Sequence, residues 1–244
     1  PVGDVKRDWE IISLMSTAMG YPMHYNNTQE IWDELRELCP IYYGATYEKM
    51  ADLAYIQWPC PTLESPGTSY LYEGGNFDTP NGKGQFYTCE WRPPIDKVSD
   101  EFPMVLATVR EVGHYSCRSM TGNCKALAAL ADEPGFIQIN TEDAARFGIR
   151  DQELVWVRSR QGKVITRANV SNRPNKGAVY MTYQWWIGAC NELVAENLSP
   201  ITKTPEYKYC AVAVDAIKDQ EDAEQYVVRE YDNIKRRLRE TAEG

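Results

Sequence analysis

The chain has 244 residues, 43% hydrophobic and 25% charged, with a formal net charge of −9. That length and mix suit a globular protein of one large domain or two small ones. The acidic balance argues against a general nucleic-acid binder, and no run of about 18 apolar residues offers a membrane span.

Residues 8–19 (DWEIISLMSTAM) are mostly apolar and end before Gly20, which predicts a helix with a glycine C-cap. In NNTQEIWDELREL, Asn27 with Glu30 three residues on is a capping-box-like start. Ile31, Leu35 and Leu38, joined by Trp32, form one apolar stripe that stops at Cys39-Pro40. A shorter helix is expected over 46–54. These helices carry apolar stripes that need a partner surface. Residues 59–84 are rich in Pro, Gly, Ser and Thr, so they read as loop, and 59–76 is the candidate boundary.

From residue 85 the pattern turns to β. QFYTCEW (85–91) alternates, and MVLATV (104–109) is a short apolar run of the kind a buried strand shows. CKALAALAD is a short helix or a turn. FIQIN (136–140) reads as a strand, and NTEDAARFG as a helix capped by Asn140 or Thr141 and closed by Gly148. LVWVRS and KVITRANV flank Arg160-Gln161-Gly162 as a β-hairpin. GAVYMTYQWW and YKYCAVAVDAI are two further strands. Several short alternating strands suggest a small β-barrel or sandwich. The tail from Gln220 to Ala242 is a helix with Ala223, Val227, Tyr231, Ile234 and Leu238 on one face.

The chemistry concentrates in VREVGHYSCRSMTGNC (109–124), which holds one of the two histidines and two of the seven cysteines. Three readings compete. As a metal site, His114, Cys117 and Cys124 lack the close ligand pairs that zinc favours, so semi-buried thiols beside a polar histidine are the plainer account. As a nucleophile, Cys117 has Arg110, His114 and Arg118 close in sequence, an electropositive setting. As an anion cradle, a loop leaving a strand would present a guanidinium, a glycine, an imidazole, a phenol and a hydroxyl. Residues 104–216 carry 13 Lys or Arg against 11 Asp or Glu, a net +2, which leaves −11 for the remainder and gives room for a local anion site. Seven cysteines without a CxxC read as free thiols in a reducing, cytoplasmic compartment. Residues 1–20 carry Asp4, Lys6, Arg7, Asp8 and Glu10 where a secretory signal would be apolar.

FDTPNGKGQF (77–86), MVLATVREVGHYSCRSMTGN, INTEDAARFGIRDQELVWVRSRQGKV and GAVYMTYQWWIGACNELVAENLSPITKTPEYKYCAV together carry a resemblance to the molybdopterin-dependent oxidoreductases. The combination of HYSCRSMTGN with TYQWWIGACNEL is most similar to the molybdenum and selenocysteine formate dehydrogenases of the formate hydrogenlyase type. The resemblance extends over nearly the whole chain. It implies a mixed α/β chain in three parts. Residues 1–69 would be the helical end of a neighbouring α/β domain. Residues 70–218 would be a double-psi β-barrel that binds molybdopterin dinucleotide, and 219–244 a C-terminal docking helix.

The same resemblance implies molybdenum-bis(molybdopterin guanine dinucleotide) as cofactor. Carried over by position, Arg110, Glu111, Gly113, His114, Ser116, Tyr183, Asn197, Tyr207 and Lys208 would line it, with Thr108 and Thr121 as weaker candidates. Arg110 and Lys208 suit phosphate or an electron-rich pterin edge. Glu111 suits amino groups, the tyrosines offer flat faces, and Asn197 can donate and accept. No metal ligand and no catalytic residue is expected in this chain. The iron–sulfur cluster and the selenocysteine or cysteine bound to molybdenum belong, in that family, to an N-terminal segment. The chain, opening on Pro1, therefore reads as a C-terminal portion, inactive alone. Its partners would be the rest of the enzyme, formate, and an iron–sulfur electron-transfer subunit. Another molybdopterin oxidoreductase such as a nitrate reductase, or a free-standing non-enzymatic barrel, are the alternatives.

Overall fold

Helix α1 (Asp8–Ala18) ends where Gly20 turns left-handed at φ 92°. The computed structural model describes residues 3–130 and 133–243, in two units that divide between Cys89 and Glu90. The first unit is helical. In α2 (Thr28–Leu38) the Asn27 side chain accepts from the Glu30 amide at 3.0 Å. Glu30 reaches one residue further back than a capping box requires, accepting from the Asn26 amide at 2.8 Å. Thr46 caps α3 (Tyr47–Leu53) by accepting from the Lys49 amide. Trp32 donates to the Ala45 carbonyl at 2.6 Å and meets Tyr42 edge-on. Gly44 is required by a close approach, since a Cβ there would lie 1.7 Å from the Thr62 carbonyl oxygen. In α1, Ile11, Ile12, Leu14 and Met15 are all exposed, as is Met19 at its C-cap.

The alternation of residues 85–91 does not become a strand. Phe86, Tyr87 and Trp91 are exposed, and no strand among the described residues pairs with this segment. Two-residue periodicity is only a pattern of side chains. A strand also needs a neighbour for its backbone N–H and C=O groups.

The second unit contains β1 (Met104–Val109), β2 (Phe136–Asn140), β3 (Leu154–Arg158), β4 (Lys163–Ser171), β5 (Ala178–Thr182) and β6 (Cys210–Ala216). They close into a barrel in the order β1-β5-β2-β4-β3-β6. β1 runs parallel to β5 and β2 parallel to β4, and the other four pairings are antiparallel. Closure leaves no free edge. In β1, Met104, Leu106 and Thr108 are buried while the residues between them are half-buried. Leu106, Ile137, Ile139, Val155, Val157, Val179, Met181 and Val212 are 0% exposed and fill the interior. The hairpin between β3 and β4 closes through Ser159 N–H to the Gly162 carbonyl at 2.9 Å. β5 is shorter than its sequence suggests, because Tyr183, Gln184, Trp185 and Trp186 leave the ladder.

Three further helices belong to this unit. α4 (Lys125–Ala128) is one turn. α5 (Thr141–Phe147) has Asn140 as its N-cap, accepting from the Glu142 amide at 2.9 Å, and Gly148 left-handed at its end. α6 (Gln220–Glu243) packs Ala223 and Val227 against Leu154, Ile165 and Ile187. The Gln220 side chain both accepts from and donates to the backbone of Leu154, at 2.8 and 3.0 Å. The anticipated stripe holds through Ile234, but Leu238 is exposed. The last turns of the helix extend past the surface it packs on.

Leu106→Ala in the barrel interior should cost about 2–5 kcal/mol through lost transfer energy and a residual cavity. Urea unfolding checks this: the midpoint should fall with the slope unchanged, whereas Leu238→Ala should leave the unfolding free energy within about 0.5 kcal/mol of the parent.

Candidate functional site

β1 and β5 are parallel, and their last paired residues are Val109 and Thr182. The chain therefore leaves both strands at the same mouth of the barrel. β6 is antiparallel to β1, with Cys210 opposite Leu106, so the segment entering β6 arrives at that mouth too. Residues 110–124, 183–194 and 195–209 converge there for this reason.

The third segment is strapped to β1. The Thr108 hydroxyl donates to the Tyr207 carbonyl at 2.9 Å, and Lys208 Nζ donates to the Thr108 carbonyl at 3.0 Å. Lys208 Nζ also lies 5.2 Å from the centroid of the Tyr207 ring, which is itself exposed. Thr108 thus has a structural reason to be a buried polar residue at a strand end. Leu198 forms an isolated bridge with Pro205, and the Glu206 amide donates to the Asn197 carbonyl at 2.9 Å. Asn197 is tied to this strap through its backbone. It lines a hollow of about 370 Å³ with Asp96 and Arg160.

In the first segment, Arg110 is exposed and has no hydrogen-bond or ion-pair partner among the described residues. Glu111 is half-buried and accepts from Gln184 Nε2 at 3.1 Å, which joins the first segment to the second. Burial raises the Glu111 carboxyl above its ordinary value, partly offset by His114, Arg118 and the Gln184 hydrogen bond. A Cβ on Gly113 would meet nothing within 4 Å, so the glycine faces open space. His114 is buried, with Nδ1 3.0 Å from the Thr121 hydroxyl, and the Tyr115 amide donates to the same hydroxyl at 3.1 Å. Ser116 is left-handed at φ 48° and half-buried. Tyr183, first after β5, is half-buried and packs on the barrel core. No hydrogen bond among the described residues links Arg110 or Ser116 to another of these candidates.

The cysteines correct one expectation. Cys117 and Cys124 are exposed rather than packed. The Cys117 thiol is held below its ordinary value by hydrogen bonds from Ser119. The packed thiols are Cys60, Cys190 and Cys210, and burial pushes the last two up to about 12. Gln184, Trp185 and Glu133 take part in the same loops without having been singled out by sequence, and Arg118 was noted only as a cation near Cys117. The run TYQWW was the available signal, but it read as strand.

The arrangement provides two cations, a carboxylate, hydroxyls, an amide and exposed aromatic rings on three segments at one barrel mouth. Such a set can hold an anionic, hydrogen-bonding, partly flat ligand.

Residues 104–211 match the family model described as "Molydopterin dinucleotide binding domain". The chain is 72% identical to formate dehydrogenase H of Escherichia coli over 244 residues, covering 99% of this chain and 34% of that protein. It is 37% identical to the alpha subunit of an F420-dependent formate dehydrogenase 2 of Methanococcus maripaludis, over 88% of this chain and 32% of that one. Among solved structures, acetylene hydratase from Pelobacter acetylenicus superposes with a TM-score of 0.61 at 16% identity, covering 90% of this chain and 34% of the hydratase. That likeness shows the fold. The chain spans about a third of the length of the curated relatives it matches.

Glu111 predicts a pH dependence. Its folded-state value is raised, so the folded protein binds the proton more tightly than the unfolded one, and stability falls as pH rises above the ordinary carboxylate range. Glu111→Gln should therefore raise the thermal midpoint at neutral pH and have little effect near pH 4 or below, read by thermal melts across a pH series.

Proposed function

The barrel of this chain belongs to the molybdopterin dinucleotide-binding family, and from that premise we propose that the chain is the cofactor-binding part of a formate dehydrogenase. The observation that carries this is the convergence of Arg110, Glu111, Tyr207 and Lys208 on one barrel mouth through the register of β1, β5 and β6. The 72% identity to formate dehydrogenase H supports formate as the substrate and CO2 as the product, and its coverage of only 34% of that protein supports a longer chain, of which we take this to be the C-terminal portion. The exposed apolar side chains of α1 support a further body of protein against it, because a helix apolar on several sides is normally buried.

The donor set fits a molybdopterin guanine dinucleotide. Lys208 spends one of its three N–H donors on Thr108, which aims the ammonium and leaves two for phosphate. Arg110 has all its donors available toward solvent among the described residues. Glu111 can accept from the amino group of a guanine or pterin. Tyr207 offers an exposed ring whose backbone Thr108 holds in place. Gly113 leaves open space where a backbone can approach the ligand. Ser116, Asn197 and Tyr183 add a hydroxyl, an amide and a second aromatic face, and His114 is held by Thr121 behind them.

When bound, the molybdenum cofactor supplies the two-electron redox chemistry that converts formate to CO2. This chain's residues orient and charge-neutralise the cofactor. The metal-ligating selenocysteine or cysteine, the iron–sulfur cluster and the electron path lie, in this reading, in the preceding part of the longer chain. No described helix is long and apolar enough to cross a membrane, and the free cysteines accord with a cytoplasmic enzyme.

In the full-length protein, Arg110→Ala and Lys208→Ala should each weaken retention of the cofactor by about 1.5–3 kcal/mol, the worth of one charge-assisted contact. Molybdenum analysis and acid-released guanine nucleotide would register partial loading, and full occupancy in both variants would overturn the assignment. Co-expression with the preceding segment should restore formate-dependent reduction of a viologen dye. A loaded enzyme that reduced nitrate and ignored formate would remove the substrate from the proposal.

A further inference from the structure

A buried carboxylate joins two of the three segments at the barrel mouth. Glu133 stands just before β2, and its side chain is only 5% exposed. Its Oε1 accepts from Arg118 Nη1 at 2.8 Å and from the Trp186 amide at 3.1 Å, and its Oε2 accepts from the Ile187 amide at 3.0 Å. Arg118 belongs to the segment leaving β1, while Trp186 and Ile187 belong to the segment leaving β5.

The connection continues inward from Arg118. Its guanidinium lies over the Trp185 ring, 4.3 Å from the centroid. Trp185 is buried, and its ring meets His114 edge-on at 5.7 Å and 90°. The indole N–H donates to the Thr182 hydroxyl at 2.6 Å, which fixes the ring to the end of β5. Gly135 makes this packing possible, because a Cβ there would lie 2.2 Å from Trp185 Cδ1. Glu133, Arg118, Trp185 and His114 thus form one continuous path of contacts.

A buried carboxylate is costly unless it is paired and hydrogen-bonded. Here it has an opposite charge and two backbone donors. An apolar residue could fill the space, but it would leave a guanidinium and two amides unpaired and would not set the angle between the segments. The carboxylate does set it, since it accepts along defined directions.

We propose that Glu133 is a positioning residue for the cofactor site: through Arg118 and Trp185 it holds His114, and with it residues 110–124, in the arrangement that grips the dinucleotide. This rests on the reading of that mouth as the cofactor site. Its described hydrogen bonds go to Arg118, Trp186 and Ile187, so its influence on the site is argued through Arg118 and Trp185.

The test uses the full-length, cofactor-loaded enzyme. The variants are Glu133→Gln, Arg118→Met, their combination, and Arg118→Lys. The readouts are the rate at which guanine nucleotide is lost during dialysis and the thermal midpoint. Glu133→Gln and Arg118→Met should each speed the loss about tenfold, the order expected for one charged hydrogen bond. The combination should lose it no faster than the quicker single variant, because both break one path. Arg118→Lys, which keeps the charge, should be slower than Arg118→Met. Wild-type retention in both single variants, or single effects that multiply in the combination, would overturn the proposal. A purely structural Glu133 would lower the midpoint without changing retention in the folded fraction. If Glu133→Gln does not fold, the two Arg118 variants decide, and equal loss rates in them would refute the path. Lys208→Ala in the same dialysis separates the two levels. Loss with Lys208→Ala but not with the Glu133 and Arg118 variants defeats the positioning role alone, and retention in all of them defeats the cofactor reading as well.

Discussion

The parallel pairing of β1 with β5, in register from Val105–Ala178 to Val109–Thr182, determines where everything else at the barrel mouth can be. Two parallel strands side by side must discharge their following segments at the same end. With β6 antiparallel on the other flank of β1, the segment entering β6 reaches that end as well. Three stretches far apart in sequence become neighbours by topology alone. The hydrophobic interior maintains the register, since a slip of one residue would turn Leu106, Val179 and Met181 out of the core.

Hydrogen bonds at the strand ends then refine what closure brings together. Thr108 uses its hydroxyl for the Tyr207 carbonyl and its own carbonyl for Lys208, so one residue fixes both the strap and the aim of a cation. At the other flank of β6, buried Asp96 accepts from the Ala211 amide at 2.7 Å and pairs with Arg160. Glu133 does similar work between the segments leaving β1 and β5. In both cases a carboxylate near the barrel wall pairs with an arginine and accepts from backbone N–H, one amide for Asp96 and two for Glu133. The barrel supplies proximity, and these polar joints supply orientation.

The helical unit shows the complementary behaviour. Its internal caps and the close approach at Gly44 are well satisfied. Yet α1 presents apolar side chains to solvent, as do Phe86 and Tyr87 near the end of the unit. Local structure there is complete, whereas burial is not.

Much of the secondary structure was legible in the sequence because its causes are local. Gly20, Asn27, Thr46, Asn140 and Gly148 mark helix ends by side-chain capping or left-handed backbone, and the alternation of 104–109 follows from a closed barrel whose inner face is buried, while β3 and β4 bury Leu154 and Ile165 on the outer face as well, under α6. Local pattern misled where pairing was needed, at 85–91 and at the end of β5, since a strand exists only with a neighbour. The chemical character of residues 109–124 was readable, and so was their resemblance to a cofactor-binding loop. That Thr108 holds Lys208, that Gln184 meets Glu111, and that Glu133 joins two loops through Arg118 depended on segments separated by many residues. Those contacts exist because the barrel closes, and barrel closure is decided by tertiary packing, which no short stretch of sequence specifies alone.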